Sequence, residues 1–122
     1  MDKKKILIAD DELNIRSLVS SMLGKDYIVI EATNGEEAVD IAKEQGPDLI
    51  LMDLMMPKMD GYAACSKIKA EQATSVIPVV ILTAIGHEFN KKFAIEMGAD
   101  GYITKPFSAD ELLRQVKQVL GE

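Results

Sequence analysis

Six side chains in this sequence could do chemistry together if the fold gathers them. Asp10, Asp11 and Glu12 follow the apolar run Ile6–Ala9, Asp53 follows Leu49–Met52, Thr83 follows Val79–Leu82, and Lys105, with Pro106 behind it, follows Gly101–Thr104. Any one of them alone reads as a turn or helix-capping residue. Carboxylates held within a few ångströms repel one another, and the remedies are protonation or a cation. A hard divalent ion suits this set. Asp11 and Asp53 offer two oxygens, a backbone carbonyl just past Asp53 a third, and waters can complete the octahedron that Mg²⁺ prefers. Softer metals lack ligands, because the single Cys65 and the single His87 lie far along the chain from these runs. His87 reads as a solvated residue at the start of the fourth helical segment.

The elements that must position these groups are legible as an alternation. Apolar, β-rich runs at Lys5–Ala9, Ile28–Ala32, Leu49–Met52, Val79–Leu82 and Gly101–Thr104 alternate with stretches of helical period, the pattern of βα units winding a parallel sheet covered on both faces. The first helical stretch carries Ile15, Leu18, Val19, Met22 and Leu23 on one side and stops at Gly24. Asn34 with Glu37, and Ser108 with Glu111, mark the starts of the second and fifth helices. The fifth carries Leu112, Leu113, Val116, Val119 and Leu120 on one side. The expected architecture is a flavodoxin-like (βα)5 α/β domain over residues 1–122, with parallel strand order 2-1-3-4-5. In such a sheet ligands bind beyond the carboxyl ends of the strands, where the winding reverses between strands 1 and 3.

Composition narrows the function classes. The chain has 122 residues, 48% hydrophobic and 28% charged, which fits one soluble globular domain and not a disordered or coiled-coil chain. A net charge of −6 speaks against direct binding to nucleic acid or to an anionic membrane. One cysteine excludes an intramolecular disulfide and fits a reducing compartment. The apolar run after the basic residues Lys3–Lys5 ends at Asp10, too early for a signal peptide, and no stretch approaches a membrane span. The expected setting is cytoplasmic.

At these positions the chain resembles the receiver domain of two-component response regulators over its whole length. The resemblance rests on Ile6-Leu7-Ile8-Ala9-Asp10-Asp11-Glu12, on Asp53-Leu54-Met55-Met56-Pro57-Lys58-Met59-Asp60-Gly61, on Leu82-Thr83-Ala84, and on Gly101-Tyr102-Ile103-Thr104-Lys105-Pro106-Phe107. It implies that Asp53 is the phosphoacceptor, taking a phosphoryl group from the phosphohistidine of a sensor histidine kinase or phosphotransfer protein. It also implies that Asp10, Asp11, Asp53 and the backbone carbonyl of Met55 hold Mg²⁺ or Mn²⁺. Thr83, Lys105 and the backbone N–H of Ala84 then contact the phosphoryl oxygens, and the Lys105–Pro106 bond is cis. Tyr102 resembles the family's aromatic switch residue, which moves with Thr83 and remodels the surface of the fourth helix, fifth strand and fifth helix. Asp60-Gly61 resembles a structural turn.

The domain so described promotes only its own phosphorylation and dephosphorylation. Its output runs through an unknown downstream protein or a phosphorylation-dependent dimer, and Phe89, Phe93 and Met97, with Asn90 and Ala94 beside them, form either a docking stripe or a sheet-packing one. Met55 and Ile85 occupy the two positions that line the hydrolytic water's route, and both are apolar, so a long-lived phosphoryl group is expected. Three rivals fare worse. A phosphohydrolase of similar chemistry needs a second acid where Met55 stands, a nucleotide or flavin module needs a phosphate-cradling loop where Asp10-Asp11-Glu12 stand, and a docking domain that is never phosphorylated would not keep every key side chain.

Overall fold

The computed structural model describes residues 3–84, 92, 93 and 95–122. Strand β1 (Lys4–Ala9) leads into helix α1 (Leu13–Leu23), a 3₁₀ turn (Gly24–Asp26) and β2 (Tyr27–Ala32). Helix α2 (Gly35–Gln45), β3 (Leu49–Asp53), α3 (Gly61–Ala70), β4 (Val79–Thr83), β5 (Gly101–Thr104) and α4 (Ala109–Leu120) follow. Helix α4 is therefore the fifth helical segment of the sequence. Of the fourth segment, Lys92, Phe93, Ile95 and Glu96 are helical, while Ile85, His87, Phe89, Asn90 and Ala94 lie outside the described residues.

The strands pair in parallel in the order β2-β1-β3-β4-β5. Alternate strand residues enter opposite cores, as the two-residue period of a strand requires. Leu7, Ile50, Met52, Val79 and Ile81 pack with Ala38 and Ala42 of α2 and Ala64 and Ile68 of α3. Ile6, Ile8, Leu51, Val80 and Leu82 pack with Val19 and Leu23 of α1 and Leu112 and Val116 of α4. Both faces are thus covered, and each fully buried Leu or Ile side chain contributes about 1.5–3 kcal/mol. The expected period of α1 holds except at Leu18, which stays 44% exposed; with α4 packed against the same sheet face, the flank of α1 that carries Leu18 is left uncovered.

The predicted helix starts form as N-caps. Asn34 accepts the Glu37 N–H at 2.9 Å and Ser108 accepts the Glu111 N–H at 3.1 Å. The reciprocal halves differ from an ideal capping box: the Glu37 carboxylate reaches the Thr33 N–H at 3.0 Å, and the Glu111 carboxylate accepts the Ser108 hydroxyl at 3.2 Å. Four expected strands are longer by one residue at their carboxyl or amino ends, so that Asp53 and Thr83 are the last residues of β3 and β4, and Lys4 and Tyr27 the first of β1 and β2. The register sets Ala9 beside Met52, Asp53 beside Leu82 and Thr83 beside Thr104. The carboxyl ends of β1, β3, β4 and β5 therefore finish level, and the polar residues that follow them meet above one edge.

Candidate functional site

Asp10 forms the floor of the site. It is fully buried, its Oδ1 accepts the Glu12 N–H at 2.9 Å and its Oδ2 lies 2.8 Å from the Lys105 ammonium. Its main chain is pinned as well. The Asp10 N–H donates to the Ala32 carbonyl at 3.0 Å, and its carbonyl accepts from Arg16 Nη1 at 2.8 Å. Arg16 is itself held by Glu31 at 2.8 Å.

Asp53, 5% exposed, sits at the end of β3 with Oδ1 3.3 Å from Lys105 Nζ. Lys105 is carried on the backbone that follows β5, where its N–H donates to the Thr83 carbonyl at 2.7 Å, and the Lys105–Pro106 bond is cis. One ammonium thus serves two carboxylates. Burial alone would lower the Lys105 pKa, but its hydrogen bonds and charge contacts with Asp10 and Asp53 outweigh that and leave it raised. Asp53 is pushed up to about 6 by burial and by the neighbouring Asp10, with a smaller push from Asp11, against the opposing pull of Lys105.

Asp11 and Glu12 are exposed, and the carboxylate oxygens of Asp10, Asp11 and Glu12 all lie within 4.8 Å of one another. The chemistry of this donor set answers whether a hard divalent cation fits. Every donor is a carboxylate oxygen, and Asp53 stays well above the ordinary carboxylate range because burial, and then the neighbouring acids, outweigh the pull of one lysine. The residues fit such an ion. The close group contains Glu12, which is outside the expected ligand set, and does not contain Asp53, which faces Lys105.

Thr83 is 2% exposed and shares a hydrogen bond with the half-buried Tyr102. Burial and then the neighbouring Tyr62 raise the Tyr102 phenol, with Thr83 opposing them. Tyr62 in turn meets Phe93 edge to face, with ring centroids 5.2 Å apart. Met55 is 71% exposed at the rim, whereas Leu54 beside it is buried. Ala84 is exposed, and with Glu12, Ile15, Leu18, Lys105 and Phe107 it lines a groove of about 510 Å³ that opens beside the ammonium.

The structure therefore brings together Asp10, Asp53, Thr83 and Lys105 as expected, with Asp11, Met55 and Ala84 around them. Two features were not foreseen. The nearer partner of Lys105 is Asp10, and Gly61 does more than make a turn. Its N–H donates to the Leu54 carbonyl at 3.0 Å, and a Cβ there would collide with the Asp53 carbonyl oxygen and come within 2.9 Å of Leu54 Cα. The signal for Gly61 was its place eight residues after Asp53, but the close approach of two backbones is invisible without the fold.

Comparison with known proteins agrees with this geometry. The profile of the response regulator receiver domain family matches residues 6–117. The chain is 44% identical over 120 residues to the transcriptional regulatory protein ResD of Bacillus subtilis, covering 98% of this chain and 49% of ResD. It thus spans about half the length of the curated relatives it matches. Among solved structures, the chemotaxis protein CheY4 of Vibrio cholerae superposes with a TM-score of 0.90 at 30% identity, over 97% of this chain and 99% of that one. The receiver domain of the sensor histidine kinase PA1611 from Pseudomonas aeruginosa, which holds a magnesium ion in its active-site cleft, superposes with a TM-score of 0.91 at 30% identity, over 99% of this chain and 100% of that one.

Proposed function

This chain belongs to the response regulator receiver family, and from that premise we propose that Asp53 is its phosphoacceptor in a two-component relay. The observation that carries the reading is a buried carboxylate at a strand end, 3.3 Å from a lysine and still held at about 6. Such a group is a nucleophile kept from water, with a cation already beside the place where negative charge will gather.

In the proposed transfer an Asp53 oxygen attacks the phosphorus of a phosphohistidine on a sensor kinase or phosphotransfer protein. The new P–O bond makes an acyl phosphate, the P–N bond breaks, and its electron pair returns to the imidazole of the donor. Negative charge spreads over the three phosphoryl oxygens during transfer, so positioning and electrostatics supply most of the catalysis. Lys105 exchanges its 3.3 Å contact with Asp53 for one with a phosphoryl oxygen while keeping its 2.8 Å contact with Asp10. The Thr83 hydroxyl donates to a second oxygen, giving up its hydrogen bond with Tyr102, and in this reading the Ala84 N–H serves a third. Asp10, Asp11, Asp53 and the carbonyl of Met55 would hold Mg²⁺ or Mn²⁺, which when bound neutralises charge on the acids and on the phosphoryl group. The groove beside Lys105 admits the donor's side chain.

Release of Thr83 from Tyr102 links phosphorylation to the surface formed by the fourth helical segment, β5 and α4. We assign the output to a protein partner or a dimer of this chain in the cytoplasm, in keeping with the net charge of −6. Among the described residues no helix is long and apolar enough to cross a membrane. The chemistry assigned to this domain is the gain and loss of its own phosphoryl group.

The test is incubation with acetyl phosphate and Mg²⁺, read by intact mass and by mapping of the labelled peptide. One phosphate on Asp53 is expected, lost in Asp53→Asn and in excess EDTA. Full labelling of either would sink the assignment.

A further inference from the structure

The loop that carries Leu54 and Met55 away from Asp53 is tied down at a second place, outside the site. The Met59 carbonyl accepts the Gly35 N–H at 2.8 Å, at the first residue of α2. Between the site and that tie, the Met59 N–H donates back to the Pro57 carbonyl at 2.7 Å across Lys58, whose φ is 65°. This is a γ-turn of the strained, positive-φ kind, on a residue with a side chain. Such a turn persists only where its surroundings over-determine it.

Gly35 supplies that surrounding constraint by lacking a side chain. Its φ lies outside the left-handed region, so conformation does not require glycine there. Space does. A Cβ at Gly35 would collide with the Met59 carbonyl oxygen and come within 2.7 Å of the Met59 carbonyl carbon and 2.9 Å of its Cβ. Asn34 fixes the donor in place, because it caps α2 by accepting the Glu37 N–H and is itself buried. The far end of the loop is closed by the Gly61 N–H on the Leu54 carbonyl. The segment from Leu54 to Met59 is thus stretched between two backbone clamps, one of which belongs to the β2–α2 corner.

We infer that Gly35 is a positioning residue for phosphoryl transfer at Asp53: it holds the loop that carries Met55, the proposed carbonyl ligand, away from Asp53, through one backbone hydrogen bond and a contact that admits no side chain. The inference rests on Asp53 being the phosphoacceptor. A side chain at Gly35 must push Met59 outward, release the γ-turn and shift the backbone of Leu54 and Met55, and a misplacement of about 1 Å can cost on the order of 10² in rate.

The experiment compares wild type, Gly35→Ala and Ala42→Gly, each well below its own Tm. Ala42 is buried in the same helix, and its carbonyl accepts the Gly46 N–H at the opposite end of α2, so its loss weakens α2 packing and leaves the Gly35–Met59 hydrogen bond in place. Gly35→Ala should take label from acetyl phosphate at least roughly tenfold more slowly and need more Mg²⁺ for half of its thermal shift, whereas Ala42→Gly should match wild type in both. Wild-type behaviour of Gly35→Ala in both readouts overturns the inference, as does an equal loss in Ala42→Gly. Should Gly35→Ala not fold, the wild type decides. Its Gly35 amide resonance should move with Mg²⁺ at the midpoint given by the thermal shift, and a resonance that stays still refutes the clamp. A wild type that takes no label on Asp53 fails earlier, at the phosphoacceptor reading.

Discussion

Replacing Asp53 by Asn should make the metal-free protein more stable at pH 7. The Asp53 carboxyl is raised from 3.8 to about 6, roughly two units at about 1.36 kcal/mol each, so keeping it ionised costs the fold about 3 kcal/mol at neutral pH. With the residue only 5% exposed, solvent screening relieves little of this. The amide keeps the shape but must place an NH₂ group beside Lys105, an imperfect pairing that takes back about 1–2 kcal/mol. The net gain is on the order of 1–2 kcal/mol, or roughly 3–8 °C in Tm for a domain of this size. The sign with pH follows from proton counting. An acid with a raised folded pKa binds more protons folded than unfolded between 3.8 and about 6, so the wild type gains on the variant as pH falls through that window. The advantage of Asn is therefore full at pH 7 and gone near pH 4. Urea denaturation in EDTA at several pH values, followed by circular dichroism, measures it. A variant less stable than wild type at pH 7, or an advantage that does not shrink on acidification, would refute the reasoning about what raises Asp53.

Two further outcomes follow from the same site. Lys105→Met leaves the fully buried Asp10 without its 2.8 Å partner, so it should cost about 3–5 kcal/mol in EDTA; because the freed acids then have only the ion, millimolar Mg²⁺ should raise its Tm more than that of wild type in a thermal melt. Met55→Asn combined with Ile85→Glu should shorten the phosphorylated lifetime roughly tenfold, which asks about 1.4 kcal/mol of two side chains that orient water. Loss of phosphate from purified, kinase-free protein is the measurement, and an unchanged lifetime would show that these positions do not set the clock.

The sequence by itself determined the winding and the cast of the site. Alternating apolar runs and helical periods dictated a parallel (βα)5 sheet, because only that arrangement buries strands such as Leu49–Asp53 on both faces. Once the strands were placed, the polar residues behind them had to converge at one edge, and Asp10, Asp53, Thr83 and Lys105 do. What the sequence could not hold is distance between groups far apart in the chain. That Lys105 lies nearer to Asp10 than to Asp53, by 2.8 against 3.3 Å, is a property of how the fold seats the buried Asp10, whose carboxylate also accepts the Glu12 N–H and whose carbonyl accepts from Arg16. The roles of Gly35 and Gly61 were equally hidden. Each reads as an ordinary glycine at a helix start, and only the packed fold brings the Met59 and Asp53 carbonyls so close to them that no side chain fits. Local propensity and periodicity are written along the chain, whereas steric exclusion and shared charge exist only between backbones that the fold has already brought together.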